Sequence, residues 1–294
     1  MSSFIRPLRS AAIYGFCFTM LFLSALSAEA ENREIVIDGK AFAVEARSVK
    51  CDVGEIDGVS TKRLLGCDSA ERIEYTVDGE KQSAILFRLN PDDAKISDGV
   101  RAELRDMHEA KNGEETWYRF ATLLPEDFPV DAPHRLVLSQ WHERVQEGVD
   151  SLRPPLSHRL WNGRFVVTLW NQERLDEKGI EGDGAILFEK PQLERDVFHE
   201  FVYKIAWSDG DNGQILGWMR QCRALDADCP SGAWDRFLTY QGQTGYASEK
   251  IIGYYFKLGL YTVTSFDAVF TAYHRGYRRG ASAAEIGLTE TALP

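Results

Sequence analysis

Short segments in which apolar residues alternate with polar ones, or run together, recur along most of the chain. Alternation is typical of half-buried β-strands, because successive side chains of a strand point to opposite faces. Asn-Gly and Asp-Gly pairs, among them Asn162-Gly163, separate several of these segments and predict hairpin turns. The pattern predicts strands over Ser83–Leu89, Val100–Met107, Thr116–Leu124, Arg135–His142, Phe165–Asn171, Val197–Trp207, Gln214–Met219, Ile251–Val263 and Asp267–Tyr273.

Helical periodicity is scarce. Ala283–Leu293 is short and weakly patterned, and is expected to be a frayed tail. No linker-like run divides the chain, and no repeat is visible. The sequence therefore predicts an all-β protein, a large β-sandwich or jelly roll. It would form a single domain over residues 31–280, followed by a C-terminal tail at residues 281–294.

The first 30 residues have the pattern of a signal peptide. Arg6 and Arg9 precede an uncharged, mostly apolar stretch, and Ala28-Glu29-Ala30 has the form of a cleavage site. The alternative is an uncleaved membrane anchor. We expect cleavage of residues 1–30, a periplasmic or secreted mature protein without stable membrane association, and a monomer.

The segment after the signal peptide contains four cysteines, Cys51, Cys67, Cys222 and Cys229. An even number in an exported protein predicts two disulfides, and four cysteines allow three connectivities. Pairing of sequence neighbours, Cys51 with Cys67 and Cys222 with Cys229, is the simplest. A four-cysteine zinc site is the alternative, but no Cys-x-x-Cys pair supports it.

The composition is that of an ordinary globular protein with an excess of acidic residues. There are 34 Lys and Arg against 45 Asp and Glu, for a net charge of −11. A chain this acidic is a poor candidate for binding nucleic acid or an anionic membrane. It could still bind a polyanion if its arginines gather in one groove.

The strand over residues 100–105 separates its residues by face. Its apolar residues would face the core, while Arg101, Glu103 and Arg105 would share the opposite face. The alternative is a solvated face whose ion pairs contribute little to stability.

A second strand, within Ile251–Val263, places two tyrosines and a lysine on one face. Tyr255, Lys257, Gly259 and Tyr261 lie opposite the apolar residues. The glycine would let a ligand or another backbone approach closely. A surface ladder of tyrosine and lysine beside a packed core is the alternative.

A third segment contributes an amide and an imidazole. Gln140 and His142 share a face at the end of an apolar strand, where a neutral imidazole could be held in one tautomer. A lone histidine is more often structural. His158 and His199 are weaker candidates.

Together these side chains match what β-elimination from a uronate requires. The sugar carboxylate must be neutralised by cations or amide donors before the neighbouring C5 proton can be removed. A base then takes that proton, and an acid protonates the departing O4.

The same three segments carry a family resemblance. Arg101-Ala-Glu103-Leu-Arg105, Gln140-Trp141-His142 and Tyr255-Phe256-Lys257-Leu-Gly259-Leu-Tyr261 resemble the signature strands of the heparin lyase I, glucuronan lyase and alginate lyase superfamily. The resemblance runs from about residue 70 to 275. It implies a β-jelly roll, a concanavalin A-like sandwich, whose concave groove binds an acidic polysaccharide.

The resemblance also implies roles for four catalytic residues. Gln140, with Arg101, would neutralise the uronate carboxylate. His142 would be the base or a second neutralising group. Tyr261 would be the acid, or both acid and base in a syn elimination.

Four further residues on the same face would bind substrate or hold the catalytic groups. By the resemblance, Lys257 contacts the substrate, and Glu103 and Arg105 orient their neighbours. Tyr255 is assigned to substrate binding with them.

One segment departs from the family pattern. Met219-Arg220-Gln221-Cys222 stands where related chains carry a hairpin of another sequence, which leaves the substrate open. Some relatives hold a structural calcium. Asp209, Asp211 and Asn212 could supply oxygen ligands, although a bare hairpin turn also explains them. No cofactor is expected to be required.

Two other functions remain open. A glycoside hydrolase on the same sandwich would need two carboxylates about 5–10 Å apart, and Glu103 is the only acid in the three segments. A non-catalytic carbohydrate-binding protein would use exposed tryptophans to stack on sugars. The candidates for such stacking are Trp141, Trp161 and Trp170.

Overall fold

The structure, a computed structural model, describes most of the chain from Glu31 to Pro294. Breaks fall at 38–39, 49–53, 57–58, 64–69, 78–79, 97–98, 130–134, 179–183 and 224–231, and side chains are described from Ser83 onward. The expected signal peptide and Cys51, Cys67 and Cys229 lie outside the described residues. Cys222 is buried and disulfide-bonded. Its pairing with Cys229 stays a prediction.

Strands dominate the described residues. They are β1 (Glu31–Ile37), β2 (Lys40–Ser48), β3 (Gly54–Ile56), β4 (Val59–Arg63), β5 (Ala70–Val77), β6 (Glu80–Leu89), β7 (Val100–Asp106), β8 (Glu115–Leu123), β9 (Arg135–Val145), β10 (Leu156–Trp161), β11 (Arg164–Leu169), β12 (Ala185–Lys190), β13 (Val197–Ala206), β14 (Gln214–Arg223), β15 (Asp235–Gln241), β16 (Ile251–Thr262) and β17 (Phe270–Gly280). One short helix, α1, spans Gln172–Lys178.

Within the described part of the chain, the strands form two antiparallel sheets. The nine-stranded sheet has the order β1-β2-β5-β6-β17-β8-β13-β14-β15, and the eight-stranded sheet has the order β12-β11-β10-β9-β16-β7-β4-β3. Side chains of both sheets meet in one core, where Phe120 of β8 lies 4.9 Å from Phe256 of β16 between ring centroids. The predicted all-β sandwich is confirmed.

The core faces of β7 and β16 agree with the alternation in the sequence. The predicted apolar residues of β7 and β16 all belong to the core: Val100, Ala102, Leu104, Phe256, Leu258 and Leu260. Burying such side chains removes apolar area from water, which stabilises by about 25 cal/mol per Å². Alternation therefore directs their neighbours to the opposite face of the sheet.

The core also contains histidine. His158 is 1% exposed, and its Nε2 lies 2.5 Å from the hydroxyl of Tyr203. Burial, with a smaller effect of His274, lowers the pKa of His158 to about 3, so the ring is neutral at physiological pH. His199 is fully buried as well. Both histidines are packing residues, which leaves His142 as the histidine of the three site segments.

Several elements were not predicted. β10, β12, β15 and α1 lie outside the predicted strands, and so do β1–β5. In β10, a buried histidine among apolar residues disguises the alternation. The turn that follows has the expected hairpin form, with φ of 50° at Asn162 and 77° at Gly163.

The prediction of a frayed tail is wrong for the segment that follows β17. Ala283–Leu288 contains a 3-10 turn at Ala284–Ile286, and Ile286 is fully buried. Ala283 and Ile286 pack against the stacked rings of Trp117 and Trp218. Because the segment is short and is interrupted by Gly287, its helical pattern is too weak to reveal the docking.

Gly259 is required by the backbone of β16. Its φ is +131°, and a Cβ there would lie 2.1 Å from the carbonyl oxygen of Ala102 in β7. The close approach anticipated for this glycine is therefore made by a neighbouring strand.

We expect Gly259→Ala to lower the free energy of unfolding by at least ~2 kcal/mol, because the methyl group adds a clash to a strained φ. Gly113→Ala is the matched control, since Gly113 has a φ of +89° but open space around its Cβ position. It should cost about 1 kcal/mol. Urea denaturation of both variants checks the prediction, and equal losses would contradict it.

Candidate active site

The three segments singled out in the sequence become three adjacent strands. β16 lies between β9 and β7 in the eight-stranded sheet. Lys257 pairs with Gln140 on one side and with Arg105 on the other, while Tyr255 lies opposite His142. The face of these strands that points away from the core is called the site face here. It carries all eight predicted residues: Arg101, Glu103, Arg105, Gln140, His142, Tyr255, Lys257 and Tyr261.

The site face is recessed. Glu103 and Gln140 are each 2% exposed, and Lys257 is 4% exposed. The interpretation of these strands as a solvated charged surface is therefore wrong. Charges in such a recess are screened less by water than surface charges, so their contacts carry more energy.

The carboxylate of Glu103 connects the three strands. Oε1 accepts a hydrogen bond of 2.6 Å from Nε2 of Gln140, and Oε2 lies 3.4 Å from Nζ of Lys257. Nη1 of Arg101 is 3.6 Å from the same Oε2. These contacts orient the amide of Gln140 and hold two cations in the centre of the site face.

A stack of rings occupies one end of the site face. The guanidinium of Arg105 lies 3.7 Å from the ring centroid of Tyr255, and the imidazole of His142 stacks on that ring at 5.6 Å and 11°. Burial raises the pKa of Tyr255 to about 12, although Arg105 opposes the rise. Its hydroxyl is protonated at neutral pH.

Tyr261 occupies the other end. Arg101 lies 4.2 Å from its ring centroid, and β9 presents Val137 opposite it. Burial raises the pKa of Tyr261, and the nearby charges of Arg101, Arg159 and Arg153 oppose that rise. The hydroxyl can therefore hold a proton at neutral pH and find three cations if it gives the proton away.

The register separates two of the predicted catalytic residues. His142 lies opposite Tyr255, and Tyr261 lies opposite Val137, so His142 and Tyr261 are not cross-strand neighbours. Glu103, Gln140 and Lys257 lie between them. A substrate that engages both would have to pass over this central cluster.

Two arginines near Tyr261 were missed in the sequence. Arg159 of β10 pairs with Val137 of β9, and Arg153 precedes β10. Once β10 is known as a strand, alternation gives the signal: Ser157, Arg159 and Trp161 share the outer face. Trp161 also stacks with Arg135, whose guanidinium is 4.3 Å from the ring centroid.

The tryptophans do not match the carbohydrate-binding alternative. Trp141 is fully buried and Trp170 is 3% exposed, so neither can stack on a sugar. Trp161 alone of the three is partly exposed. The expectation of three exposed tryptophans is wrong, because Trp141 and Trp170 are needed to fill the core.

The part of the chain that the structure describes contains no preformed metal site. No group of three His, Cys, Asp or Glu residues there could hold a metal ion. At the candidate calcium turn, Oδ1 of Asn212 accepts a 2.5 Å hydrogen bond from Ser208.

Among the helices described, none is long and apolar enough to cross a membrane.

Glu103→Gln should destabilise the protein by about 3 kcal/mol, because it removes the buried carboxylate that faces the buried ammonium of Lys257. Glu189→Gln removes the same charge from an exposed pair, in which Arg164 is 44% and Glu189 39% exposed. That control should cost less than about 1 kcal/mol. Chemical denaturation of the two variants tests the difference, and a Glu103→Gln loss no larger than the control would contradict it.

Several solved structures with similar folds are polysaccharide lyases, and others are glycoside hydrolases of family 131. An endo-β-1,4-glucuronan lyase from the fungus Trichoderma reesei is similar over 81% of this chain and 98% of its own, with a TM-score of 0.55 and 15% identity. The alginate lyase AlyC3 is similar over 72% and 89%, at 0.45 and 13%. The family 7 alginate lyase A1-II′ is similar over 70% and 82%, at 0.43 and 14%.

The likeness to the glucuronan lyase confirms the predicted jelly-roll fold. No curated protein matches the chain significantly. A sequence model of the family described as polysaccharide lyase matches residues 51–277, which include β7, β9 and β16. The chain therefore belongs to the polysaccharide lyase family.

Proposed function

We propose that the protein cleaves a uronate-containing polysaccharide by β-elimination at the site face, with a glucuronan-like polymer as the first candidate substrate. The observation that carries this proposal is the set of cations and amide gathered around Glu103. A uronate carboxylate needs such a set before its C5 proton can be removed. The glucuronan lyase fold supports the choice of substrate, since that protein acts on a β-1,4-linked glucuronan.

Neutralisation of the substrate carboxylate is assigned to Gln140 and Arg101. Glu103 fixes the amide of Gln140 through one N–H, which leaves the second N–H for the substrate. Oε1 of Gln140 is buried and has no hydrogen-bond partner among the described residues. Each preorganised donor of this kind typically contributes about 3 kcal/mol to a transition state.

Proton transfer is assigned to Tyr261 and His142. Tyr261 is the acid for the departing O4, because burial keeps its hydroxyl protonated and the surrounding arginines stabilise the phenolate that it leaves. His142 is the base or a second neutralising group. In a syn elimination Tyr261 would serve as both acid and base. That mechanism would not require His142 and Tyr261 to be cross-strand neighbours.

Binding of the polymer would follow the outer face of β10 and β9. Arg159 can meet a second carboxylate beside Tyr261, and Trp161 with Arg135 offers a partly exposed indole for stacking on a sugar ring. Lys257, Arg105 and Tyr255 would contact the unit near His142. The local positive charge explains how a chain of net charge −11 could bind a polyanion.

We further propose that the protein is a monomer that acts in the periplasm or as a secreted enzyme, without a required cofactor. The signal-peptide pattern of residues 1–30 supports the location. A glycoside hydrolase is disfavoured, because Glu103, the acid of the site face, is engaged by a lysine, an arginine and an amide.

To identify the substrate, the protein is incubated with glucuronan, alginate and heparin, and the ultraviolet absorbance of the unsaturated product is measured. We expect elimination on at least one of them. Binding of a polyuronate without any unsaturated product would favour a non-catalytic carbohydrate-binding protein. Reducing ends that appear without absorbance would favour a hydrolase.

Tyr261→Phe and His142→Ala should each lower kcat by at least ~10²-fold on the best substrate, because each removes a group that transfers or stabilises a proton. The double variant should lose less than the product of the single losses, since groups that act as one unit are not additive. Circular dichroism confirms that each variant is folded.

Two tyrosine variants serve as comparisons. Tyr255→Phe removes the hydroxyl from the ring that stacks on His142 and should raise KM more than it lowers kcat. Tyr273→Phe changes a buried tyrosine of the other sheet and should leave turnover unchanged. A folded Tyr261→Phe enzyme with normal turnover would remove Tyr261 from the mechanism, and a large kcat loss in Tyr255→Phe would transfer the acid role to Tyr255.

A further inference from the structure

We propose that Glu143 is a positioning residue that holds His142 with its proton on Nδ1 and stabilises the imidazolium when Nε2 accepts a proton. The role of His142 as the base rests on the proposed function, whereas the contact between Glu143 and His142 is independent of that function. Glu143 was not singled out in the sequence, because alternation assigns it to the face opposite His142.

The two carboxylate oxygens of Glu143 have different surroundings: one is hydrogen-bonded within the protein, and the other faces His142. Oε1 accepts hydrogen bonds from the Ser151 hydroxyl at 2.7 Å and from the Leu152 amide at 2.6 Å. Oε2 lies 3.0 Å from Nδ1 of His142, within ion-pair distance, and makes no hydrogen bond of regular geometry with any described residue. The side chain of Glu143 is 0% exposed, so no solvent can take that place.

A second acceptor acts on the same nitrogen. The backbone carbonyl oxygen of Glu143 lies 3.1 Å from Nδ1 of His142. Two acceptors at one ring nitrogen require it to carry the hydrogen, so Nε2 carries the lone pair in the neutral ring. The stacked ring of Tyr255 then holds the plane of the imidazole.

The ionisation of Glu143 agrees with this arrangement. Burial raises its pKa, but the hydrogen bond and charge of His142, with the Ser151 hydroxyl, outweigh burial and lower it below the ordinary value. A buried carboxylate that stays ionised favours a positive charge on the imidazole beside it. Glu143 thereby lies where it can compensate a positive charge on His142.

The proton balance of the elimination follows. The C5–H bond breaks and its proton moves to Nε2 of His142, while its electron pair forms the C4–C5 double bond and the C4–O4 bond breaks. O4 leaves with the proton of Tyr261. Glu143 accepts no proton; it compensates the charge of His142 until the imidazolium returns its proton to solvent and the Tyr261 phenolate takes one up.

Other charged and titratable groups surround this pair, and any pH dependence contains their effects. Tyr255 comes from β16 and Arg105 from β7, where Glu109 binds Arg105 and Arg144. Tyr246, from the loop after β15, and Tyr254 of β16 interact electrostatically with Glu143, and Arg153 interacts with Tyr246. Controls must therefore keep these groups unchanged.

The first test is a titration of His142 by nuclear magnetic resonance in the whole protein without substrate. The wild type should show the Nδ1–H tautomer. Glu143→Gln should lower the pKa of His142 by about one unit or more, since it removes a neighbouring negative charge. An Nε2–H tautomer in the wild type, or an unchanged pKa in the folded variant, would overturn the proposal.

Two variants separate this effect from general loss of structure or charge. Ser151→Ala removes a neutral hydrogen bond to Oε1 and keeps the carboxylate. Glu147→Gln removes one negative charge from an exposed position four residues further along the chain. Neither should move the pKa of His142. If Glu143→Gln does not fold, Glu143→Asp, which keeps the charge, should restore folding with the Nδ1–H tautomer, and any other tautomer would contradict the proposal.

The second test uses the elimination rate. In Glu143→Gln the acid limb of the pH profile of kcat/KM should shift to lower pH by the same amount as the pKa of His142, because the base must be neutral. The kcat on the plateau should fall about tenfold, since a weaker base reacts more slowly. An acid limb that stays in place while the pKa of His142 shifts would remove His142 as the base. The titration alone decides the role of Glu143 if no polysaccharide is cleaved.

Discussion

The buried carboxylate of Glu103 is the group on which the arrangement of the site depends. It lies on β7 and contacts Gln140 of β9 and Lys257 of β16, so that one anion fixes side chains of three strands. An ionised carboxylate in a recess is stable only with such partners, because taking its charge out of water costs several kcal/mol. The cations in turn would repel one another without it. The site is therefore a set of mutually dependent charges, in which each member is held by the others.

This dependence reconciles an acidic chain with a positively charged site. Net charge describes the field far from the protein, where 45 acids outnumber 34 bases. Within a Debye length, about 8 Å at physiological ionic strength, only the local set acts. There Arg101 and Lys257 share the anion of Glu103, Arg105 pairs with Glu109, and Arg159 and Arg153 add to the positive field at Tyr261. An anionic polymer would meet an excess of cations on the site face.

Alternation in the sequence was enough to predict the sandwich and the faces of β7 and β16, because a strand that buries one face must expose the other. It failed where the period of two is broken. On β9, Leu136, Leu138 and Trp141 all belong to the core, so the spacing changes from two residues to three. The pairings confirm an irregularity there, between Leu258 and Tyr261 on one side and between His158 and Arg159 on the other. A β-bulge of this kind leaves no simple signal in one sequence.

The irregular register also fixes where Tyr261 lies relative to His142. Between Lys257 and Tyr261, β16 has one residue more than the paired segment of β9, so Val137 lies opposite Tyr261, while Gln140 and His142 lie opposite Lys257 and Tyr255. On its other side, Val137 pairs with Arg159 of β10. Gly259 lies in this segment of β16, and its φ of +131° lets the strand pass close to Ala102 of β7. The glycine that the sequence associated with ligand approach thus permits a change of register. Through that change, the phenol of Tyr261 gains the arginine of a fourth strand, which no period-two pattern on the three signature strands could have supplied.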